Sequence, residues 1–312
     1  MKQANIKAGI LGHTVGDALG VPVEFKTREE LRKNPVKTMR SYGTYNQPQG
    51  TWSDDSSLTF CLLESLCTGY NLEDIGTKFV KWLNNSYWTP HGETFDVGNT
   101  TRQAIKKIEN GSAPAQAGGN DEYDNGNGSL MRILPLVYYT KEMLREERLT
   151  KVKEVSSITH AHRRAIIGCS IYMEFAINLL DGDKLDIAYK KMQKTIKEYY
   201  KREAYKNELS YYQRILDNDI SELKVEKIKS SGYVVDTLEA VLWLLLNEDS
   251  YRETVLKAVN LGQDTDTVAA IAGGLAGIYY GYQSIPKQWL DNVVMKKEIL
   301  ELIERFYQKV IV

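Results

Sequence analysis

A chain of 312 residues with 42% hydrophobic content can bury a sizeable core, as one large domain or two modest ones. Its 40 basic and 41 acidic residues leave a formal charge of −1, which argues against a dedicated nucleic-acid binder, a class that shows a basic excess. Three cysteines, Cys61, Cys67 and Cys169, form no CxxC pair, and that odd count fits a reducing cytoplasm better than a disulfide framework.

Taken in chain order, the opening "MKQANIKAGILGHTVGDALG" has only a short apolar run, interrupted by His13 and Asp17 and followed by no cleavage site. It does not read as a signal peptide. No later stretch approaches the roughly 18 uncharged apolar residues of a membrane span. "SSLTFCLLESLCTGY" (56–70) sets Leu58, Cys61, Leu62, Ser65 and Leu66 on one helical face, and "LEDIGTKFVKWL" (72–83) does the same with Leu72, Ile75, Phe79 and Leu83. Glycine and proline punctuate 41–52 and 110–129. The segments 163–180, 236–246 and 266–281 are apolar nearly all round, as helices buried on several sides are. Between them, 183–229 is rich in lysine and tyrosine and reads as a solvated helical hairpin on the outside of the domain. There is no sustained alternation and no repeat of fixed period. The expectation is one all-α domain spanning 1–312, with small residues letting helices approach closely.

Two short stretches break the apolar pattern with oxygen chemistry. Residues 262–270 read "GQDTDTVAA" and residues 51–58 read "TWSDDSSL", each just ahead of an apolar helix. One aspartate at such a place is an ordinary helix cap, because free N–H groups and the helix dipole favour a carboxylate there. A cap accounts for one carboxylate only; a second beside it adds repulsion unless something positive is present. Asp54, Asp55, Asp264 and Asp266, with Ser53 and Thr267, offer the oxygen ligands that hard divalent cations prefer, and four carboxylates suit two ions. A calcium loop starting at Asp264 fails, since its sixth and twelfth positions hold Ala269 and Leu275 instead of glycine and glutamate. Zinc is poorly supported, with no HExxH and no paired cysteines. Nothing in their spacing brings the two clusters together.

Seven segments run in order through most of the chain: "GILGHTVGDALGVPVEF" (9–25), "GTWSDDSSLTFCLLESL" (50–66), "DVGNTTRQAI" (96–105), "NGNGSLMRILPL" (125–136), "SITHAHRRA" (157–165), "GYVVDTLEAVLWLL" (232–245) and "LGQDTDTVAAIAGGLAGIYYG" (261–281). Together they resemble the ADP-ribosylglycohydrolase family. The resemblance implies a compact all-α bundle with a dinuclear metal cleft, in which Ser53, Asp54, Asp55, Asp264, Asp266 and Thr267 ligate two Mg²⁺ or Mn²⁺ ions. Family members usually carry threonine where this chain has Ser53; serine keeps the hydroxyl ligand.

The same resemblance implies hydrolysis of the bond between the anomeric carbon of ADP-ribose and a modified side chain, with the arginine-type linkage favoured by the "DVGNTT" segment. Glu24 matches the family's catalytic glutamate, although alone it is an ordinary loop acid. Asp96 is the second acidic candidate, for the ribose or the leaving group, its plainer role being the cap of the helix through Arg102 and Ile105. Gly98 and Asn99 fall in the same substrate segment. Gly126, Asn127, Gly128 and Ser129 match the pyrophosphate loop; by pattern they are a turn entering a helix, since Met131 stands where a GxGxxG fingerprint needs its third glycine. His160 matches a threonine–histidine motif and is placed on the ADP side of the cleft, while for both His160 and His162 the plainer role is a surface or capping histidine. Tyr233 is placed either to stack on adenine or to pack at a helix start. The implied partner is an ADP-ribosylated protein or a small ADP-ribose conjugate, with no membrane and with nucleic acid only as an ADP-ribosylated substrate, in the cytoplasm. The alternatives are a non-catalytic ADP-ribose binder and a two-metal phosphoesterase acting on a nucleotide.

Overall fold

In the computed structural model, which describes residues 2–201 and 203–311, helices carry nearly all the regular structure. Six of them build the site: α1 (Gln3–Gly20), α2 (Asp54–Thr68), α3 (Asn99–Glu109), α4 (Arg163–Leu180), α5 (Val234–Asn247) and α6 (Thr265–Tyr280). Among the described residues, β pairing is limited to three isolated bridges: Tyr42 with Gln47, Gly119 with His160, and Gly126 with Tyr233.

The centre of the molecule is the pairing of α1 with α6. Both are buried on nearly every side, as their all-round small and apolar composition predicts. Glycines make the approach possible. A Cβ at Gly12 would stand 2.5 Å from the Gly273 carbonyl oxygen, one at Gly16 2.0 Å from that of Ala269, and one at Gly20 2.2 Å from the Asp266 Cα. With no side chains between them, the two backbones touch, and the C-terminal end of α1 lies against the first turn of α6.

Around this pair, Leu58, Phe60, Leu62 and Leu66 of α2 and Val241, Leu242 and Leu245 of α5 are fully buried. In the lysine- and tyrosine-rich stretch, helix Leu185–Tyr199 packs on α4 and buries Met192 and Ile196, and the Tyr212 hydroxyl donates to the Arg164 carbonyl oxygen at 2.7 Å.

Two helix starts differ from the sequence expectation. The helix expected over 56–70 runs Asp54–Thr68, because Ser53 caps it early and Gly69, at φ +129°, ends it. The glycine-rich turn at 126–129 does not enter a helix directly. Residues 128–132 form further turns and the helix starts at Leu134, where Pro135 occupies the first-turn position that needs no N–H.

Candidate active site

Two helix heads face each other at the floor of the site. The Ser53 hydroxyl accepts the Asp55 backbone N–H at 3.3 Å, so Asp54 and Asp55 fall in the first turn of α2 rather than ahead of it. Asp266 and Thr267 fall in the first turn of α6, and Asp264 holds its N-cap position without making a side-chain cap bond. Carboxylates sit well there, beside N–H groups that the helix leaves unpaired. The heads are joined directly: the Thr267 hydroxyl donates to Asp55 Oδ2 at 3.2 Å, and the same oxygen accepts the Ser53 hydroxyl at 3.2 Å.

Glu24 comes to this floor from the loop after α1. Glu24, Asp264 and Asp266 each offer a carboxylate oxygen within 4.8 Å of the others. The loop is fastened to the α6 head by two backbone bonds, Phe25 N–H to the Gln263 oxygen and Gln263 N–H to the Lys26 oxygen, both 2.7 Å. Asp264 is oriented by Asn127, whose side-chain amide donates to its Oδ2 at 2.6 Å.

Several of these oxygens have no partner. Glu24 Oε2, Asp55 Oδ1 and both carboxylate oxygens of Asp266 are buried without a hydrogen bond. Burial, and then the neighbouring carboxylates, raise the carboxyls of Asp54, Asp55 and Asp266 well above the usual range. Burial and Asp96 push Glu24 up to about 9. Buried, unpaired acids of one sign are costly unless a positive group joins them. An all-oxygen donor set with orphaned atoms fits a hard divalent cation.

Above this floor opens a cleft of about 470 Å³. It is lined by Glu24, Asp54, Asp96, Gly98 and Asn99, by Gly126, Asn127, Gly128 and His160, and by Asp264 and Thr267. Ser53, Asp55 and Asp266 are buried behind that lining. Two further singled-out residues are not brought to the cleft surface. Ser129 is fully buried, accepting the Ser156 hydroxyl at 2.9 Å. Tyr233 is half-buried at the N-cap position of α5, its ring 5.9 Å from the Arg164 guanidinium.

Backbone pairing between distant segments shapes the cleft. The bridge of Gly126 with Tyr233 carries Asn127 N–H to the Gly232 oxygen and Val234 N–H to the Asn125 oxygen, both 3.0 Å. The bridge of Gly119 with His160 carries Gly119 N–H to the Thr159 oxygen at 2.9 Å and Ala161 N–H to the Gly119 oxygen at 2.7 Å. Behind the glycine loop lies the buried Arg132, which donates to the carbonyl oxygens of Gly128 at 2.5 Å and Val155 at 3.0 Å. Burial and then Arg132 lower the His160 pKa to about 3, so its imidazole is neutral. His162 caps α4, its Nδ1 accepting the Arg164 N–H at 3.2 Å.

Asp96 is not a helix cap. Gly98 holds the N-cap position of α3, while Asp96, at φ +54°, accepts the Tyr45 hydroxyl at 2.6 Å.

Sequence reasoning passed over Asp17, Phe25 and Tyr45. Asp17 had a visible signal, a lone carboxylate in an apolar helix, which must be satisfied once buried. Its two oxygens accept the backbone N–H groups of Ser53 at 2.9 Å and Ser56 at 3.0 Å, bracing the head of α2 from α1. Tyr45 and Phe25 carry no such mark.

Comparison with known proteins agrees with this architecture. Residues 2–311 match the family model described as ADP-ribosylglycohydrolase. The ADP-ribosylarginine hydrolase Tri1 of Serratia proteamaculans (strain 568) is 32% identical over 309 residues, covering 96% of this chain and 78% of that protein. The ADP-ribosyl-[dinitrogen reductase] glycohydrolase of Rhodospirillum rubrum is 29% identical over 295 residues, covering 92% and 90%. A solved structure titled ADP-ribosylglycohydrolase-related protein complex superposes with a TM-score of 0.82 at 28% identity, covering 99% of this chain and 98% of its own. With its whole described length matched and its helical architecture shared, the chain belongs to the ADP-ribosylglycohydrolase family.

Proposed function

We propose that this protein is a divalent-metal-dependent hydrolase that cleaves the glycosidic bond between ADP-ribose and an arginine side chain of a modified protein. The observation that carries the reading is the set of buried, unpartnered carboxylate oxygens of Glu24, Asp55 and Asp266 at the foot of a cleft that the glycine loop also lines. The arginine linkage is supported by the relatedness to an ADP-ribosylarginine hydrolase.

In this reading Ser53, Asp54, Asp55, Asp264, Asp266 and Thr267 hold two Mg²⁺ or Mn²⁺ ions. Bound there, such ions would supply positive charge that favours the ionised form of these carboxyls and of the neighbouring Glu24 and would polarise ribose hydroxyls and water. Glu24 accepts a proton from the attacking water. The water oxygen bonds to the anomeric carbon as the bond to the guanidinium nitrogen breaks, through an oxocarbenium-like state. The neutral guanidine that leaves takes up the proton, so the products are ADP-ribose and arginine, and Glu24 is regenerated. Asp96, fixed by Tyr45, orients the guanidinium by accepting its N–H groups. Gly126, Asn127 and Gly128 receive the diphosphate, with Gly98, Asn99 and neutral His160 completing the substrate contacts; Ser129 and Tyr233 support the cleft from behind.

The test is ADP-ribose release from arginine-, serine- and nucleotide-linked substrates, with Mg²⁺, with Mn²⁺ and with chelator. Metal-dependent release from the arginine conjugate with the diphosphate intact is the expected result. Release of a mononucleotide would show a phosphoesterase instead. Tight ADP-ribose binding without turnover on any linkage would show a binder.

A further inference from the structure

The cleft has an aromatic rim beside Glu24. Phe25 lines it and is 64% exposed, although the next residue back is buried. A single exposed apolar side chain is ordinary, but a relaxed loop does not hold this one. Phe25 has φ +65°, a region that bulky L residues avoid, and its partner in the paired backbone bonds, Gln263, has φ +62°. Two strained residues pinned to each other beside the cleft mean that tertiary structure fixes the backbone that carries the ring.

What lies around the ring indicates what it receives. Tyr45 meets it edge-on at 6.3 Å and packs on Phe95 at 5.0 Å, and the Tyr45 hydroxyl holds the Asp96 carboxylate. No lysine or arginine lines the cleft among the described residues. An open aromatic face beside fixed carboxylates suits a planar cation, which stacks on the ring and bonds to the acid.

We propose that Phe25 is the acceptor-side specificity residue: the guanidinium of the arginine stacks on its ring while Asp96, held by Tyr45, takes its charge. This rests on the arginine-linkage reading. A lysine ammonium, a compact point charge, would use the ring less well than the flat guanidinium. A serine linkage would leave the ring unused.

The experiment is calorimetry of free arginine binding to Mg²⁺-loaded, ADP-ribose-saturated protein, compared across wild type, Phe25→Ala, Phe25→Leu and Phe25→Trp. Arginine affinity should fall about tenfold in Phe25→Ala and Phe25→Leu and recover in Phe25→Trp, with ADP-ribose affinity unchanged throughout. On the arginine conjugate, the loss should fall on KM rather than kcat. The leucine variant separates ring stacking from apolar bulk, and unchanged ADP-ribose affinity shows that each variant is folded. No saturable arginine binding to wild type, full affinity in Phe25→Ala, or an equal fall for arginine and ADP-ribose would each overturn the assignment. Because free arginine needs no turnover, wild type that cleaves only another linkage while still binding arginine at Phe25 defeats the linkage reading alone.

Discussion

The Asp17 carboxylate accepts the Ser53 backbone N–H at 2.9 Å, tying the opening helix to the cap of α2 across 36 residues of sequence. Its other oxygen takes the Ser56 N–H at 3.0 Å, so one buried side chain satisfies two of the N–H groups that a helix start leaves free. Asp17→Asn keeps the shape but offers only one acceptor oxygen, leaving an N–H facing an amide. Denaturant titration should show a loss of about 1–3 kcal/mol, the cost of a buried unsatisfied polar group. Metal affinity should weaken with it, because Asp54 and Asp55 follow Ser53. Unchanged stability would mean that α2 is braced by its apolar face alone.

Gly16 faces the backbone of α6, where an added Cβ would come within 2.0 Å of the Ala269 carbonyl oxygen. Neither backbone can yield locally, so Gly16→Ala should force α1 and α6 apart. Overpacking of this kind costs about 1–3 kcal/mol. The same displacement should reduce divalent-ion affinity, since Asp17 and Asp266 ride on the separated helices. Thermal unfolding and metal titration measured on one preparation check both effects.

Glu24 is buried at the foot of the cleft with Oε2 unpartnered. Glu24→Gln keeps the side chain's shape and leaves the proposed metal ligands in place but cannot accept a proton. Turnover should fall by about 10²-fold or more, the range for removing a positioned general base, while metal affinity stays near that of wild type. Near-normal turnover would remove Glu24 from the mechanism.

Acid groups held above their ordinary pKa make metal-free stability depend on pH. Glu24 is raised from 4.5 to about 9 and Asp17 from 3.8 to about 7, in both cases chiefly by burial. Between those limits the folded chain keeps protons that the unfolded chain has released, so stability is greatest below the unfolded values and is lost as pH rises through the folded ones. In chelator, the Tm should therefore drop steadily from about pH 5 to about pH 9. Added Mg²⁺ or Mn²⁺ should flatten the profile, since the ionised carboxyls bind the cation more tightly. Scanning fluorimetry across pH gives the answer; a chelated profile without slope counts against a cluster of protonated acids.

Helical class, buried helices and helix-head acids were legible in the sequence because each is local. The apolar run of α6 specifies a buried helix wherever it packs, and Ser53 followed by two aspartates specifies a capped start. The membership of the site was legible only as an ordered set of motifs resembling a family, since no spacing within one segment joins Asp55 to Thr267, which bond across 212 residues. Tertiary structure decided the rest. The glycine-to-backbone contact of α1 with α6 sets the end of one helix against the head of another, and backbone pairing at 25–26 with 263 brings Glu24 to the floor and Phe25 to the rim. The bond from Tyr45 to Asp96 spans 51 residues, and no pattern in either segment anticipates it. Local propensity and capping depend on neighbours within a turn or two, whereas convergence of acids on one cleft depends on which distant surfaces can approach closely enough to touch.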